Sequence, residues 1–317
     1  MMERLKIFTG NSNPSLVQDI AKELGCEVGK SEVSRFSDGE ISVSIQESVR
    51  GADCFVVQST CTPINENLME LLIMIDALKR ASAERITAII PYFGYARQDR
   101  KAKPRDPISA KLVADLISTA GAHRVLTMEL HTLQIQGFFD IPVDHLISAP
   151  LFSNYIKEWP EFNPEEFVIL APDFGAVSRA RQFSKRIGCP IALVDKRRPK
   201  ANVSEVMNII GEVKNKKIIL VDDIIDTAGT ICNSAKAIVE QGGAKEVYVY
   251  AAHGVLSGDA IEKLKTDYIK KITFLNTIEI PEEKMLDKFT VLNIAPVMAE
   301  AISRINRGTP FSTMMLE

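Results

Sequence analysis

The sequence predicts an α/β fold in two domains, each a mostly parallel sheet flanked by helices. Three observations carry this reading. Short apolar runs alternate with helical patterns from end to end, as in parallel strands joined by helices. The chain has 317 residues, enough for two domains of ordinary size. A break near Ser148–Pro150 leaves a strand–helix series on each side, with its own loop at a strand end. The expected domains are therefore 1–148 and 149–317. Two such domains facing each other would form a cleft for a substrate.

The elements follow in order. Leu5–Thr9, Cys54–Gln58, Ile86–Ile90 and Arg124–Met128 are the strands expected in the first series. Between the last two, Ser109–Ala120 reads as a helix, with Leu112, Val113, Leu116 and Ile117 on one apolar stripe. The second series has Phe167–Ala171, Ile191–Val194, Ile218–Val221 and Val247–Ala251. A helix from about Gly229 to Gln241 carries Ile231, Ala235 and Ile238 on one face, and Gly242–Gly243 stops it.

Composition narrows the function. Hydrophobic residues make up 46% and charged residues 25%, as in soluble globular proteins. A formal net charge of -3 argues against a nucleic-acid partner. No window approaches the roughly 18 apolar residues of a membrane span, and MMERLKIFTG lacks the apolar centre of a secretory signal. The five cysteines are scattered without a CxxC pair, and the four histidines do not cluster at ligand spacing. Neither a disulfide framework nor zinc is expected, and a reducing, cytoplasmic setting fits best.

In open α/β sheets, ligands bind beyond the carboxyl ends of the strands, so the loops there carry the functional signal. After Val221 comes DDIIDTAGT. Thr227, Ala228, Gly229 and Thr230 form a small-residue loop running into a helix, a cradle for a phosphate. Asp222, Asp223 and Asp226 can accept from sugar hydroxyls or hold Mg²⁺. Together they suit a phosphorylated sugar, whereas a purely local reading makes Asp226 or Thr230 a helix cap. Neither a G-x-x-x-x-G-K-[ST] loop nor a G-x-G-x-x-G fingerprint occurs, so a nucleotide would be held by other means.

Other loops add charge. PYFGYARQDRKAKPRDP (91–107) offers aromatic faces for a base and Arg97 and Arg100 for phosphates. Against this stands a solvated basic loop. His131 follows another strand and can meet a metal or a metal-bound phosphate. Asp140 and Asp144 lie just beyond as further oxygen donors. Asp173 sits where a strand turns into a helix, as a ligand for Mg²⁺ or ribose, or as a cap. Lys196, Arg197, Arg198 and Lys200 form a cationic stretch suited to a lid over a polyphosphate, or to a solvated hairpin.

FSDGE (36–40), PYFGYARQDR (91–100), LHTLQIQGFFDIPVDHL (130–146), DKRRP (195–199) and VDDIIDTAGT (221–230) occur in that order. As an ordered set the motifs resemble those of the class I ribose-phosphate diphosphokinases, the phosphoribosyl pyrophosphate synthetases. The likeness runs from TGNSNPSL (9–16) to the final helix. It implies two phosphoribosyltransferase-like domains, the first on the ATP side and the second on the ribose 5-phosphate side. It implies transfer of the β,γ-diphosphoryl group of ATP to the anomeric hydroxyl of ribose 5-phosphate, leaving AMP, with Mg²⁺ as cofactor.

Carried over by position, Phe36, Asp38, Gly39 and Glu40 would form the adenine site, reaching in from a neighbouring subunit. A homo-oligomer, commonly a hexamer, is implied. Arg97 and Gln98 would contact ATP, and His131 and Asp173 would hold Mg²⁺ and the ATP phosphates. Lys196 and Arg198 would be the catalytic pair on the lid, with Arg198 also near ribose 5-phosphate. Asp222 and Asp223 would bind the ribose hydroxyls, and Asp226, Thr227, Ala228, Gly229 and Thr230 would cradle the 5-phosphate. Three positions depart from the pattern: Glu129 replaces the usual Asp, and Phe174 and Ala176 stand in PDFGAV where PD-x-GG is common. An inactive regulatory homologue would keep the fold but lose parts of the lid. A nucleobase phosphoribosyltransferase or a sensing regulator would have one such domain and would lack FSDGE and ARQDR.

Overall fold

The computed structural model describes residues 5–197, 206–311 and 314, with 196, 197, 206 and 207 as backbone alone. Its first sheet is built from β1 (Leu5–Thr9), β4 (Asp53–Val57), β5 (Arg85–Ile90), β6 (Arg124–Met128) and β7 (Val143–Leu146). These lie in the order β1-β4-β5-β6-β7, all parallel. A separate antiparallel ribbon pairs β2 (Ser31–Arg35) with β3 (Ile41–Ile45). The helices of this part are α1 (Pro14–Leu24), α2 (Ile64–Arg80) and α3 (Ser109–Ala120). Every residue of β4 is buried, as expected for a strand covered on both faces.

The second sheet has seven strands in the order β10-β9-β8-β11-β12-β13-β14. They are β8 (Phe167–Ala171), β9 (Ile191–Arg197), β10 (Val206–Ile210), β11 (Lys217–Ile225), β12 (Glu246–Gly254), β13 (Lys271–Leu275) and β14 (Phe289–Leu292). Only β10, an edge strand, runs antiparallel to its neighbour. Its helices are α4 (Ala149–Lys157), α5 (Val177–Ile187), α6 (Gly229–Glu240) and α7 (Ala260–Leu264). Among the described residues no helix is long and apolar enough to cross a membrane.

The chain forms two compact units, with the first crossing at Ile147/Ser148 close to the expected boundary. A contiguous second domain of 149–317 is nonetheless corrected. Asn276–Glu279 and Asn293–Glu317 return to the first unit. The returning segment carries α8 (Ala295–Arg307), which lies against α1. Three hydrogen bonds anchor it: Asn293 Nδ2 to Asp19 Oδ2 at 2.7 Å, Asn306 Nδ2 to Asp53 Oδ2 at 2.8 Å, and Arg85 Nη2 to the Ile305 carbonyl at 3.1 Å.

The stripe expected on α3 is also rotated. Ala110, Val113, Ala114 and Ile117 face the core, while Leu112 is 60% and Leu116 40% exposed. Burial at 110, 113, 114 and 117 follows the helical repeat, and the two leucines lie to one side of that face.

Candidate active site

The acidic cluster sits at the carboxyl end of β11, but within the strand rather than after it. β11 pairs with β8 only through Leu220, whereas its pairing with β12 continues through Ile225. Asp222 and Asp223 are thus held in extended backbone on the half of β11 that has lost one neighbour. The Asp223 N–H donates to Asp222 Oδ1 at 2.9 Å.

Part of the repulsion between these acids is relieved within the fold. Arg179, on α5, has one guanidinium nitrogen 3.7 Å from Asp222 Oδ1 and another 3.7 Å from Asp223 Oδ1. All three side chains are at most 14% exposed. The Asp222 carboxyl is pushed well above the ordinary aspartate range, first by burial and then by the Asp223 charge, with Arg179 opposing both. Sequence reasoning missed Arg179, because VSRARQFSKRI is rich in cations and nothing local marks the one that turns toward the acids.

Beyond β11, Ala228 adopts left-handed backbone at φ 61° and α6 begins at Gly229. The residue before the helix, Ala228, has no side chain that could cap α6. A helix start of this kind presents first-turn N–H groups, and its dipole favours an anion there. Thr227 and Thr230 are exposed, Asp226 and Gly229 are half-buried and Ala228 is buried. The Asp226 carbonyl accepts from Ser257 N at 3.0 Å, which fixes the start of the loop.

Asp173 is exposed at the end of β8, and its Oδ1 accepts from Ala176 N at 3.1 Å. The local turn therefore takes one oxygen, and the second has no protein partner among the described residues. Ala176 is buried at φ -81°, so its backbone does not need a glycine. Phe174 is 65% exposed. Lys196 is backbone of β9, opposite Met207 of β10, with its side chain outside the description, and Arg198 lies outside the described residues.

In the first unit, the loops after β5 and β6 meet. Asp99 is buried and accepts from Thr132 Oγ1 at 2.7 Å and from Gln134 Nε2 at 3.0 Å. This fixes ARQDR beside the segment that follows His131. Arg97, Gln98 and Arg100 are exposed, with Gln98 bound to Ser109 through Oε1. Tyr92 and Phe93 are not free to stack on a base: both are buried, with the Phe93 ring 5.7 Å from that of Phe139.

His131 is half-buried and follows a constrained turn. Glu129 is buried with φ 46°, and its N–H donates to the Leu146 carbonyl at 2.8 Å. The next N–H, of Leu130, donates to His145 Nε2 at 2.9 Å. Asp144 is engaged by Arg124 across β6 and β7 at 2.7 Å, which makes it a structural pair rather than a spare ligand. The described residues hold no group of three or more His, Cys, Asp or Glu side chains placed to bind a metal.

Phe36, Asp38, Gly39 and Glu40 occupy the exposed turn joining β2 to β3. Phe36 is 59% exposed, an unusual place for a phenyl ring with no partner to cover it. The turn is well formed: Phe36 N donates to the Glu40 carbonyl at 2.8 Å, Gly39 N to the Phe36 carbonyl at 2.9 Å, and Glu40 N to Asp38 Oδ1 at 3.2 Å. Gly39 has φ 95°, which only glycine adopts at low cost.

Comparison with known proteins agrees along the chain. A family model described as the N-terminal domain of ribose phosphate pyrophosphokinase matches residues 5–121, and one described as the phosphoribosyl synthetase-associated domain matches 195–315. The ribose-phosphate pyrophosphokinase of Clostridium perfringens is 60% identical over 310 residues, covering 98% of this chain and 97% of that one. That of Caldanaerobacter subterraneus subsp. tengcongensis is 61% identical over 310 residues, with the same coverage. The crystal structure of phosphoribosylpyrophosphate synthetase from Mycobacterium smegmatis superposes with a TM-score of 0.91 at 45% identity, covering 96% of this chain and all of that one.

Proposed function

The chain belongs to the ribose-phosphate pyrophosphokinase family, and on that premise we propose how its residues divide the work. The enzyme transfers the β,γ-diphosphoryl group of ATP to the anomeric hydroxyl of ribose 5-phosphate, giving 5-phosphoribosyl 1-diphosphate and AMP. The observation that carries the division is the small-residue start of α6, with Ala228 at its cap position, following Asp222 and Asp223, which Arg179 approaches.

In this reading the second unit takes ribose 5-phosphate. The backbone N–H groups and hydroxyls of Asp226–Thr230 bind the 5-phosphate. Asp222 and Asp223 accept from the ribose hydroxyls and turn the anomeric oxygen toward the nucleotide. Arg179 holds the two carboxylates in place without reaching substrate. The first unit takes ATP: Arg97 and Gln98 meet the nucleotide and His131 its phosphates. Phe36 stacks on the adenine, with Asp38, Gly39 and Glu40 around it, from a neighbouring subunit of a homo-oligomer, a hexamer in our reading.

The anomeric hydroxyl oxygen attacks the β-phosphorus and its proton is released, the new oxygen–phosphorus bond forms, and the bond from that phosphorus to the α,β-bridging oxygen breaks. AMP leaves with the bridging oxygen. Negative charge spreads over the transferred group and the departing oxygen, and Lys196, Arg198 and His131 neutralise it. Lys196 and Arg198 act from the lid, whose closure also keeps water from ATP.

His131 in the first unit and the open carboxylate oxygen of Asp173 in the second are each a single ligand, too few for a dedicated cage. Either would suit Mg²⁺ brought in with the nucleotide. When bound, the ion withdraws charge from the diphosphoryl oxygens. A cytoplasmic location accords with this choice of substrates.

The test is to mix protein, Mg²⁺, ATP and ribose 5-phosphate and follow the products by phosphorus NMR. AMP that forms only with ribose 5-phosphate, together with a sugar diphosphate, is the expected result. ADP in place of AMP would overturn the transfer described here. Ligand binding without turnover would point to an inactive homologue and to Glu129, Phe174 and Ala176.

A further inference from the structure

Glu70 is a carboxylate on α2, 3% exposed, in the half of the helix nearest the carboxyl ends of the first sheet. Asn67 and Glu70 are buried one turn apart, and Leu71, Met74, Ile75 and Leu78 continue the buried face in apolar residues. Its partners among the described residues are all neutral amides: Oε2 accepts from Asn11 N at 3.1 Å and Gln58 Nε2 at 2.8 Å, and Oε1 from Asn11 Nδ2 at 3.0 Å. A buried carboxylate is costly even when fully hydrogen-bonded, and an apolar side chain would stabilise the core more simply. The site therefore does something other than pack.

The bonds lead outward to the ribbon. Asn11 Nδ2 donates to Glu70 and also to the Val33 carbonyl on β2, at 3.2 Å. Gln58, which Glu70 orients, accepts from Ser12 N through Oε1 at 3.0 Å and so fixes the same loop after β1. One turn earlier on α2, Glu66 pairs with Arg35 at the end of β2 at 3.2 Å. Two carboxylates of one helix thus grip β2, the strand that ends next to Phe36.

We infer that Glu70 is a positioning residue for the nucleotide: through Asn11 it sets the pose of the β2–β3 ribbon, and with it Phe36, Asp38 and Glu40. The inference rests on the reading of that turn as the adenine site, supplied to a neighbouring subunit. Glu70→Gln keeps the volume but turns an amide N–H toward donors already there. Asn11→Ala, at an exposed position, removes only the bridging amide and serves as the milder variant.

The expected result is a KM for ATP raised about tenfold in Glu70→Gln and about threefold in Asn11→Ala, the scale of one or two mismatched hydrogen bonds. The KM for ribose 5-phosphate and kcat should stay near the parent's. A merely structural role would raise both KM values and lower kcat together. Co-expression of differently tagged chains gives the second readout. A Glu70→Gln chain supplies an intact Lys196, and a Lys196→Ala chain supplies an intact ribbon. Their mixed oligomers should regain a component with the parent's KM for ATP, which neither variant has alone.

Phe36→Ala mixed with Lys196→Ala tests the shared site itself. If that pair regains activity and the Glu70→Gln pair does not, the role of Glu70 is overturned. An unchanged KM for ATP in Glu70→Gln, or an equal rise for both substrates, overturns it too. If the Phe36→Ala pair fails, the shared-subunit reading falls, and the KM split of Glu70→Gln still decides whether Glu70 positions the ribbon.

Discussion

Asp99 and Thr132, 33 residues apart, are joined by a 2.7 Å hydrogen bond from the threonine hydroxyl to Asp99 Oδ2, and Gln134 Nε2 donates to the same oxygen at 3.0 Å. One buried carboxylate oxygen therefore fixes the loop carrying Arg97 and Gln98 against the loop carrying His131. Replacing Asp99 with Ala leaves a hydroxyl and an amide without their acceptor. The cost should be about 1–3 kcal/mol in urea unfolding. The KM for ATP should rise while that for ribose 5-phosphate holds. Asp99→Asn retains an acceptor oxygen and should recover most of both losses. Equal behaviour of the two variants would remove the hydrogen bonds as the cause.

Arg179 stands 3.7 Å from each acid of the β11 pair and is 10% exposed. Arg179→Met keeps the stem and removes the charge, which strands two carboxyls in a buried setting. Removing one partner from such a group typically costs about 3 kcal/mol. The variant should unfold at lower denaturant and bind ribose 5-phosphate more weakly, because the carboxyls must take up protons or separate. Normal stability with normal sugar affinity would show that the acids do not depend on Arg179.

The raised Asp222 carboxyl sets a pH dependence with a definite sign. Between the ordinary aspartate value near 4 and its raised value, the folded chain binds more protons than the unfolded one. The stability this contributes is fully present at the lower limit and is lost as pH climbs through the raised value. Each unit of rise is worth about 1.4 kcal/mol. Asp222→Asn removes the buried charge while its oxygen can still accept from Asp223 N. The variant should match the parent near pH 4 and exceed its stability at pH 8, with a weaker grip on ribose 5-phosphate. A stability difference that does not change with pH would exclude the buried charge as its source.

Much of the candidate site can be proposed from the sequence because its chemistry is local. DDIIDTAGT places acids, small residues and a helix start within ten positions, and no apolar core needs that pattern. What the sequence hid is what depends on distant partners. Arg179 is one cation among several on α5 until the fold turns it toward β11. Tyr92 and Phe93 look like stacking residues until the sheet buries them. The β2–β3 ribbon was missed because SEVSR and ISVSI are short, half-exposed and rich in serine, not the continuous apolar runs that mark the buried strands. The return of α8 to the first unit could not be read from strand–helix order, since it rests on bonds from Asn293 and Asn306 to Asp19 and Asp53.

Gly229 separates a role in binding from a role in folding. It is the first residue of α6, and a Cβ built there meets no heavy atom within 4 Å. Its φ is not in the left-handed region, so alanine fits the backbone. Gly229→Ala should leave the fold intact and even add about 0.4–1 kcal/mol by narrowing the unfolded ensemble. If the 5-phosphate lies against this turn, the added methyl enters its space. The KM for ribose 5-phosphate should then rise about tenfold or more with that for ATP unchanged, and the thermal shift given by ribose 5-phosphate should shrink. The loss comes from one methyl meeting one phosphate oxygen, so Gly229→Ser, whose hydroxyl can donate to that oxygen, should bind the sugar better than Gly229→Ala. Equal sugar affinity in parent and both variants would place the phosphate away from the start of α6.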